Sequence, residues 1–327
     1  MEIMEGFQLT DFDREIWDGE LDGFVPRKIF DAHVHLWNES FATPDTLPSP
    51  ARLEVDLTAL QDWTSKVFPG REPHFLLLGT PIRDIDFAGY RQWMALEAKK
   101  DPLSRAGVIV SPELDPRDLA RSVAKYGIRA LKPYRVFASD PANCDIFDFL
   151  PEPLIEVANE FKMLVVLHIS KFEGISNEKN LSDLKYLTSK YPQVTWQLAH
   201  CARGFNPATL EKAIDRLKYI DHLAYDTSAV NDLYSHYLLL KHEDRSRIMF
   251  GSDNIVASGV HGKYITWGKG WDYFPGMEKR PHCDCRPTLV IYEQLRVQRQ
   301  AAVILELSKL EIENLFYNNA KHIILGE

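Results

Sequence analysis

Eight short apolar segments typical of β-strands recur along the 327-residue chain, and segments with helical periodicity lie between them. The eight segments are KIFDAHVH (28–35), HFLLLG (74–79), RAGVIV (105–110), IRALKPY (128–134), MLVVLHI (163–169), VTWQLAH (194–200), HLAYDT (222–227) and RIMFGSD (247–253). Strands that alternate with helices indicate a parallel sheet, and eight such units favour a closed barrel over an open doubly wound sheet. We therefore predict an α/β protein with one domain, a (β/α)8 TIM barrel.

The helical segments carry their own start and stop signals. DPRDLARSVAKYG (115–127) begins with Asp-Pro and ends on Gly, and NPATLEKAIDRLKYI (206–220) begins with Asn-Pro. Two segments lie outside the repeating units: the acidic extension 1–27 before the first strand and the long segment 254–287 after the eighth. The extension could cover the bottom of the barrel or reach a partner chain.

The charge balance excludes several classes of partner. The chain has 38 basic and 47 acidic residues, a net charge of -9, which argues against a general nucleic-acid binder. It contains no apolar run of membrane-spanning length, and its acidic start lacks the order of a secretory signal. Four cysteines in a chain of this length do not indicate a disulfide framework. We expect a cytoplasmic protein that binds neither nucleic acid nor membranes.

Polar residues fall where the predicted strands end. His33 and His35 stand two apart at the end of the first strand, so both side chains should point to the same face. The carboxyl ends of later strands carry the other polar residues, namely Lys132, His168, His200, Asp226 and Asp253. Because active sites of TIM barrels lie at this end of the strands, these side chains are candidates for one site.

Each of these residues has an ordinary structural explanation when it is taken alone. A histidine beside an apolar strand is commonly structural, and Asp253 could cap the segment that follows it. The combination of His-x-His with two further histidines and an aspartate on separate strands is more specific. These ligand types suit a divalent transition metal such as zinc, which would make water a nucleophile near neutral pH.

The sequence resembles the amidohydrolase superfamily, and within it the amidohydrolase-2 branch, which includes aminocarboxymuconate-semialdehyde decarboxylase and resorcylate decarboxylase-like enzymes. The resemblance covers nearly the whole chain. It is carried by FDAHVHLW (30–37), GIRALKPY (127–134), YPQVTWQLAHCARGF (191–205), RIMFGSD (247–253) and the tail IENLFYNNAKHIIL (312–325).

The resemblance implies a role for each residue of the predicted site. His33, His35, His168 and Asp253 would hold one divalent metal ion, zinc or alternatively manganese. Asp253 would also act in catalysis by taking a proton from the attacking water, and His200 would lie near that water and assist proton transfer. The resemblance also implies a homodimer.

Two basic residues leave alternatives open. Lys132 could be a carbamylated bridge between two metals, but the similar enzymes are usually mononuclear, which favours a substrate-binding cation or a structural ion pair. Arg203 could grip a substrate carboxylate with both guanidinium nitrogens, or it could form a salt bridge at the start of the next helix.

The segment 254–287 departs from the family pattern and is rich in aromatic and basic residues. It could act as a lid, or it could pack on the N-terminal extension or a second subunit. Its candidate pocket residues are Trp267, Trp271, Tyr273 and Phe274, with Lys263, Lys269 or Arg286 available for an anionic substrate. Cys283 and Cys285, beside His282, lack the spacing of a zinc site, so we interpret them as ordinary loop thiols.

Three functions remain open at the level of sequence. The first is metal-dependent hydrolysis of a small carboxylated amide or lactone by a metal-activated water. The second is metal-dependent, non-oxidative decarboxylation of an aromatic or unsaturated carboxylic acid. The third is a catalytically silent barrel that serves as a binding or scaffold protein, since a fold by itself does not fix a function.

Overall fold

A curled, mostly parallel sheet forms the centre of the molecule. The computed structural model describes residues 8–42, 54–255, 257–277 and 280–326. Within these ranges the strands of the main sheet are β1 (Lys28–Asn38), β2 (Glu54–Val55), β3 (Glu72–Gly79), β4 (Arg105–Val110), β5 (Ala130–Pro133), β6 (Leu164–Leu167), β7 (Thr195–Leu198), β8 (Leu223–Asp226) and β9 (Ile248–Met249). The order is β2-β1-β3-β4-β5-β6-β7-β8-β9, and all neighbours are parallel except β2 and β1. Each of the eight predicted segments contributes one parallel strand, so the predicted alternating organisation is confirmed.

The chain that follows β9 lies beside the first strand. The Ala32 N–H donates to the carbonyl of Phe250 at 2.9 Å, and the His35 N–H donates to the carbonyl of Asn254 at 2.8 Å. In the opposite direction, the Asp253 N–H donates to the carbonyl of His33 at 2.7 Å. These contacts bring the carboxyl end of the last parallel strand next to the two histidines of the first.

Helices connect successive strands and cover the outer face of the sheet. They are α1 (Asp11–Ile16), α2 (Leu57–Val67), α3 (Phe87–Ala98), α4 (Pro116–Tyr126), α5 (Ile146–Phe149), α6 (Glu152–Glu160), α7 (Glu178–Lys190), α8 (Pro207–Leu217), α9 (Leu233–His242), α10 (Val290–Ile304) and α11 (Lys309–Glu313). The predicted signals act as expected at α4, where Asp115 accepts a hydrogen bond from Arg117 N and Gly127 ends the helix with φ 71°. None of the helices in the described ranges combines the length and apolar character needed to cross a bilayer.

The inner face of the sheet is apolar at one end and polar at the other. Its buried apolar cluster consists of Phe30, Ala32, Leu76, Leu78, Ala130, Leu164, Val166, Ala224, Met249, Ala320 and Ile324. Ala320 and Ile324 come from the C-terminal segment, which Arg129 fixes by donating to the carbonyl of Ile324 at 2.6 Å. Because side chains alternate along a strand, Lys132 and His168 follow Ala130 and Val166 on the inner face, nearer the carboxyl ends.

A register shift in β1 turns both of its histidines inward. Phe30 and Ala32 belong to the inner cluster, whereas Val34 belongs to the outer one. The pairing of β1 with β3 shifts between Asp31 and Val34, as a β-bulge does. Without this shift, the alternation that puts Ala32 inside would put His33 outside.

The segment after β9 contains an antiparallel hairpin, β10 (Lys263–Trp267) and β11 (Gly270–Phe274). The described part of the N-terminal extension packs against this segment and α10. Buried Asp13 pairs with His261 Nε2 at 2.7 Å and accepts a hydrogen bond from Thr288 Oγ1 at 2.6 Å. The Trp17 ring lies 5.8 Å from that of Tyr292 in α10. Through His261, the segment 254–287 contacts the extension, which is one of the alternatives that the sequence left open.

Candidate metal centre

Three side chains from β1 and the segment after β9 converge on one point. The Nε2 atoms of His33 and His35 are 3.2 Å apart. Asp253 Oδ1 lies 3.1 Å from His35 Nε2 and 3.7 Å from His33 Nε2. Two imidazole nitrogens and a carboxylate oxygen at this spacing form part of the ligand set that zinc and similar ions prefer.

The hydrogen bond on the other side of the His33 ring leaves His33 Nε2 without a proton. His33 Nδ1 lies 2.9 Å from Asp226 Oδ2, and His35 Nδ1 lies 3.3 Å from the carbonyl of Gly79. Because a carboxylate only accepts, Nδ1 is the donor in the His33 ring, whereas His35 Nε2 donates to Asp253 Oδ1 at 3.1 Å. Burial, with the nearby charge of Lys132, lowers the pKa of His33 to about 4, so this ring is neutral. The lone pair of His33 Nε2 and the negative charge of Asp253 Oδ1, 3.7 Å apart, therefore lie close together, and a divalent cation between them would bind both. The residues fit a divalent metal.

Asp226 fixes the ring of His33 through its Nδ1 atom, on the side away from His35 and Asp253. It lies at the end of β8, is fully buried, and also accepts hydrogen bonds from Gln197 Nε2 at 2.7 Å and the backbone N–H of His200 at 3.1 Å. Burial alone would raise its pKa, but the charge and hydrogen bond of His33 lower that pKa well below the usual range. Such a carboxylate fixes the tautomer of a ligating histidine. The sequence predicts that Asp226 lies at the end of a strand, but it does not predict this contact with His33.

His200 begins a left-handed turn at the end of β7. His200, Cys201, Ala202 and Arg203 all have positive φ, between 51° and 61°, which is unfavourable for residues other than glycine. The surroundings hold this turn in place: His200 Nδ1 donates to the carbonyl of Ser228 at 3.0 Å. Its Nε2 is therefore an acceptor, and burial lowers the pKa of the ring. Strained backbone of this kind is common at functional sites.

A second cluster, formed by His33, His200 and Asp226, also has ligand atoms within 4.8 Å of one another. The Nδ1 atoms of its two histidines are already bonded within the protein, to Asp226 in one case and to Ser228 in the other. A metal bound through these Nδ1 atoms would have to displace these bonds. The cluster of His33, His35 and Asp253 is consequently the better candidate.

His168 lies in the same cavity but slightly apart. Its ring centroid is 5.1 Å from that of His200, and among the described residues it belongs to neither of the two clusters. Its Nδ1 is buried and has no hydrogen-bond partner in the described part of the chain. Burial, followed by the charges of His200 and Arg203, holds its pKa well below the usual range. Its role as a metal ligand stays a prediction, which the unpaired nitrogen favours.

The converging atoms lie at the base of a cavity of about 280 Å³. Lys132 is buried there, with Nζ 3.2 Å from His33 Nε2 and 5.2 Å from the Tyr134 ring centroid. Burial lowers the pKa of Lys132 to about 8. The lining residues are His33, His35, Trp37, Thr80, Pro81, Lys132, Tyr134, His168, His200, Phe205, Asp253, Ala257, Tyr264 and Trp271.

Other predicted pocket residues lie elsewhere. Trp267 is 58% exposed at the end of β10, and Arg203 lines a neighbouring cavity. Lys263 pairs with Glu293 at 3.1 Å. Cys283 and Cys285 have their Sγ atoms 3.2 Å apart and are not part of a candidate metal cluster in the described ranges.

Comparison with known proteins identifies the family. The sequence model of the Amidohydrolase family matches residues 30–323, so the chain belongs to the amidohydrolase family, as the sequence motifs predicted. No curated protein matches the sequence.

Solved structures share the fold at low sequence identity. A probable 2-pyrone-4,6-dicarboxylic acid hydrolase from Acinetobacter baumannii has a TM-score of 0.57 and 13% identity, over 91% of this chain and 99% of its own. The 4-oxalomesaconate hydratase from Rhodopseudomonas palustris has a TM-score of 0.54 and 17% identity, over 91% and 95%. A dihydroxybenzoic acid decarboxylase from Polaromonas sp. JS666, solved with manganese, has a TM-score of 0.55 and 13% identity, over 92% and 97%. These similarities establish the fold and leave the reaction open.

Proposed function

We propose that this protein is a metal-dependent hydrolase of small carboxylated amides or lactones. The observation that carries the proposal is the position of Asp253. Its Oδ1 faces the two β1 histidines, while its Oδ2 lies 4.0 Å from His200 Nδ1. Burial would raise the pKa of Asp253, but the hydrogen bond from His35 and the charges of the histidines lower it well below the usual range. A carboxylate in this position can be both a ligand and a proton acceptor.

The proposed metal ligands are His33, His35, His168 and Asp253, with zinc or manganese as the ion. We also infer that the sheet is a closed barrel, which the backbone hydrogen bonds between β1 and residues 250–254 support. Closure supports the site because it fixes ligands from the first and last strands relative to each other.

The reaction assigns a task to each side chain. A bound divalent ion supplies Lewis acidity, which polarises a carbonyl group and acidifies water. Asp253 accepts the proton of the attacking water and passes it to the departing nitrogen or oxygen. His200, with Nε2 as an acceptor, orients that water by hydrogen bonding. Lys132 provides the positive charge that attracts the carboxylate of the substrate.

Decarboxylation is a second candidate, and the walls of the cavity favour it. Five aromatic side chains line the cavity: Trp37, Tyr134, Phe205, Tyr264 and Trp271. Such a lining suits a planar aromatic or unsaturated acid. In this reaction Asp253 in its carboxylic acid form, or protonated His200, would give a proton to the carbon that loses carbon dioxide.

A substrate panel separates the two reactions. The protein, reconstituted with zinc or manganese, is incubated with lactones, N-acyl amino acids and aromatic or unsaturated acids. Ring opening or amide cleavage without carbon dioxide release is the expected result. Release of carbon dioxide from the acids would replace the proposal with the second candidate. Loss of either activity in His35→Ala, with the fold retained by circular dichroism, would assign it to this cavity. No turnover on any class would contradict both.

A further inference from the structure

A second cavity, of about 240 Å³, lies on the other side of Trp271 from the metal centre. Trp271 lines both cavities, and its ring stacks on that of Phe205 with centroids 4.2 Å apart. The second cavity is lined by Phe172, Gly174, Arg203, Asn206, Thr209, Lys269, Gly270 and Trp271. It is built from the segment after β6, the turn after β7, the first turn of α8 and the β10–β11 hairpin, whereas the metal centre is built from strand ends.

The second cavity has uncompensated positive charge. Arg203 is partly buried, and its Nη1 donates to the carbonyl of Lys171 at 2.5 Å. Neither Arg203 nor Lys269 forms an ion pair within the ranges that the structure describes, whereas Arg216 on α8 pairs with Glu178 at 2.6 Å. Burial and the charge of Arg135 lower the pKa of Arg203 to about 10, so it is still cationic at neutral pH. A partly buried charge such as that of Arg203 carries a desolvation cost when it has no counterion, and an anion in the cavity would offset that cost.

The two cations belong to different parts of the fold. Arg203 ends the left-handed turn that begins with His200, and Lys269 lies in the turn of the β10–β11 hairpin. Asn206 already joins these parts, since its Nδ2 donates to the carbonyls of Gly268 at 3.2 Å and Gly270 at 3.0 Å. An anion between Arg203 and Lys269 would add a second, ionic link.

We propose that this second cavity binds an oxyanion, a carboxylate or a phosphate, between Arg203 and Lys269, and that the bound anion holds the hairpin and Trp271 against the metal cavity. The anion is either a free ion or the distal carboxylate of a ligand that also reaches the metal centre. The proposal is independent of whether the reaction is hydrolysis or decarboxylation.

Calorimetric titration of the metal-free protein with inorganic phosphate and with glutarate tests the proposal. Lys269→Ala removes a charge from an exposed turn and should weaken binding of both anions by about tenfold, the value of one charge-assisted hydrogen bond. Arg203→Gln should weaken binding at least as much. Lys125→Ala, on α4, is the matched control and should leave the dissociation constants unchanged.

A second titration, with manganese present, distinguishes the two sources of the anion. Tighter glutarate binding with manganese, lost in His35→Ala, identifies a ligand that spans both cavities. Glutarate binding that does not respond to manganese identifies a free anion. The proposal is overturned if neither anion binds at millimolar concentration. It is also overturned if Lys269→Ala and Arg203→Gln bind as the wild type does, or if binding to the metal-free protein depends on His35 instead.

Discussion

Two histidine–aspartate pairs of the same geometry lie near opposite ends of the sheet. His33 Nδ1 is 2.9 Å from Asp226 Oδ2, and His74 Nδ1 is 2.9 Å from Asp101 Oδ2. Both carboxylates are buried. The first pair joins the bulge of β1 to the carboxyl end of β8. The second joins the start of β3 to the residues before β4.

The pairs differ in what surrounds the rest of the imidazole. His33 Nε2 faces His35, Asp253 and Lys132. The His74 ring instead lies 6.4 Å from the rings of both Phe30 and Tyr317. A carboxylate bonded to Nδ1 therefore fixes the orientation of a histidine but does not decide the function of the pair. The groups that the remaining nitrogen faces decide whether the pair serves a site or the packing of the core.

Replacing Asp253, a carboxylate that faces His33 and has no counterpart beside His74 among the described residues, should have the largest effect on activity. Asp253→Asn keeps the shape of the side chain but removes its basicity, so kcat on whichever substrate class is turned over should fall about a thousandfold. Steady-state kinetics on the reconstituted enzyme provides the measurement. Asp272→Asn, an exposed carboxylate on β11, is the control and should stay within about twofold of the wild type. A loss of less than about tenfold in Asp253→Asn would exclude Asp253 as the proton acceptor.

Asp226→Asn and Asp101→Asn test whether only the His33–Asp226 pair supports metal binding. Loss of the carboxylate behind His33 frees the ring to adopt the wrong tautomer, so metal affinity should fall about 10- to 100-fold. Competition with a chelator of known affinity measures this change. Asp101→Asn should leave metal affinity unchanged. Equal losses of metal affinity in both variants would mean that both pairs act through the stability of the fold, and that the His33–Asp226 pair has no special role at the metal centre.

Asp101→Asn should have a moderate effect of another kind. The Oδ2 atom of Asp101 accepts hydrogen bonds from His74 and Ser104, and its Oδ1 accepts from the backbone N–H of Leu103. An amide replaces one of these two acceptor oxygens by a donor, so it cannot accept all three hydrogen bonds. The free energy of unfolding should fall by about 1–3 kcal/mol. Urea denaturation of the metal-free protein measures it, with Asp115→Asn, at an exposed helix cap, as a control expected to change far less. An unchanged midpoint would show that the His74 pair does not stabilise the fold.

The smallest predicted effect is on how the free energy of unfolding depends on pH. Burial would raise the pKa of Asp101, but the hydrogen bonds from His74 and Ser104 lower it. A carboxyl whose pKa is lowered by folding contributes stability above its ordinary pKa near 4, and this contribution disappears as the pH falls through the lowered value. Wild-type protein should therefore lose stability more steeply below about pH 4 than Asp101→Asn does. Parallel curves of unfolding free energy against pH would contradict this assignment.

The strands and the strand-end residues were predictable because they depend on local pattern. The apolar segments located all eight parallel strands, and the positions of His33, His35 and Asp253 after strands led us to expect one site. The structure places their ligand atoms within 4.8 Å of one another. The bulge in β1 was not predicted, because it is a property of pairing with neighbouring strands. Nor was the role of Asp226, whose partner His33 is 193 residues away in sequence.

The loop residues were harder to place for a different reason. Arg203 stands three residues after His200, yet four successive positive φ angles direct it into another cavity. Those angles oppose the intrinsic preference of every residue in the turn, so no local signal indicates them. Of the two hairpin tryptophans, Trp271 lines the metal cavity and Trp267 is exposed, and only the register of the hairpin separates them.

The metal content of the purified protein tests the central claim most directly. Protein prepared without a histidine tag or chelator is analysed beside His35→Ala and His168→Ala, with His74→Ala as the matched control. About one equivalent of divalent metal is expected in the wild type and in His74→Ala. Almost complete loss is expected in His35→Ala, and a reduced amount in His168→Ala. A wild-type protein that binds neither zinc nor manganese after reconstitution, or a His35→Ala variant that retains its metal, would contradict the proposed metal site.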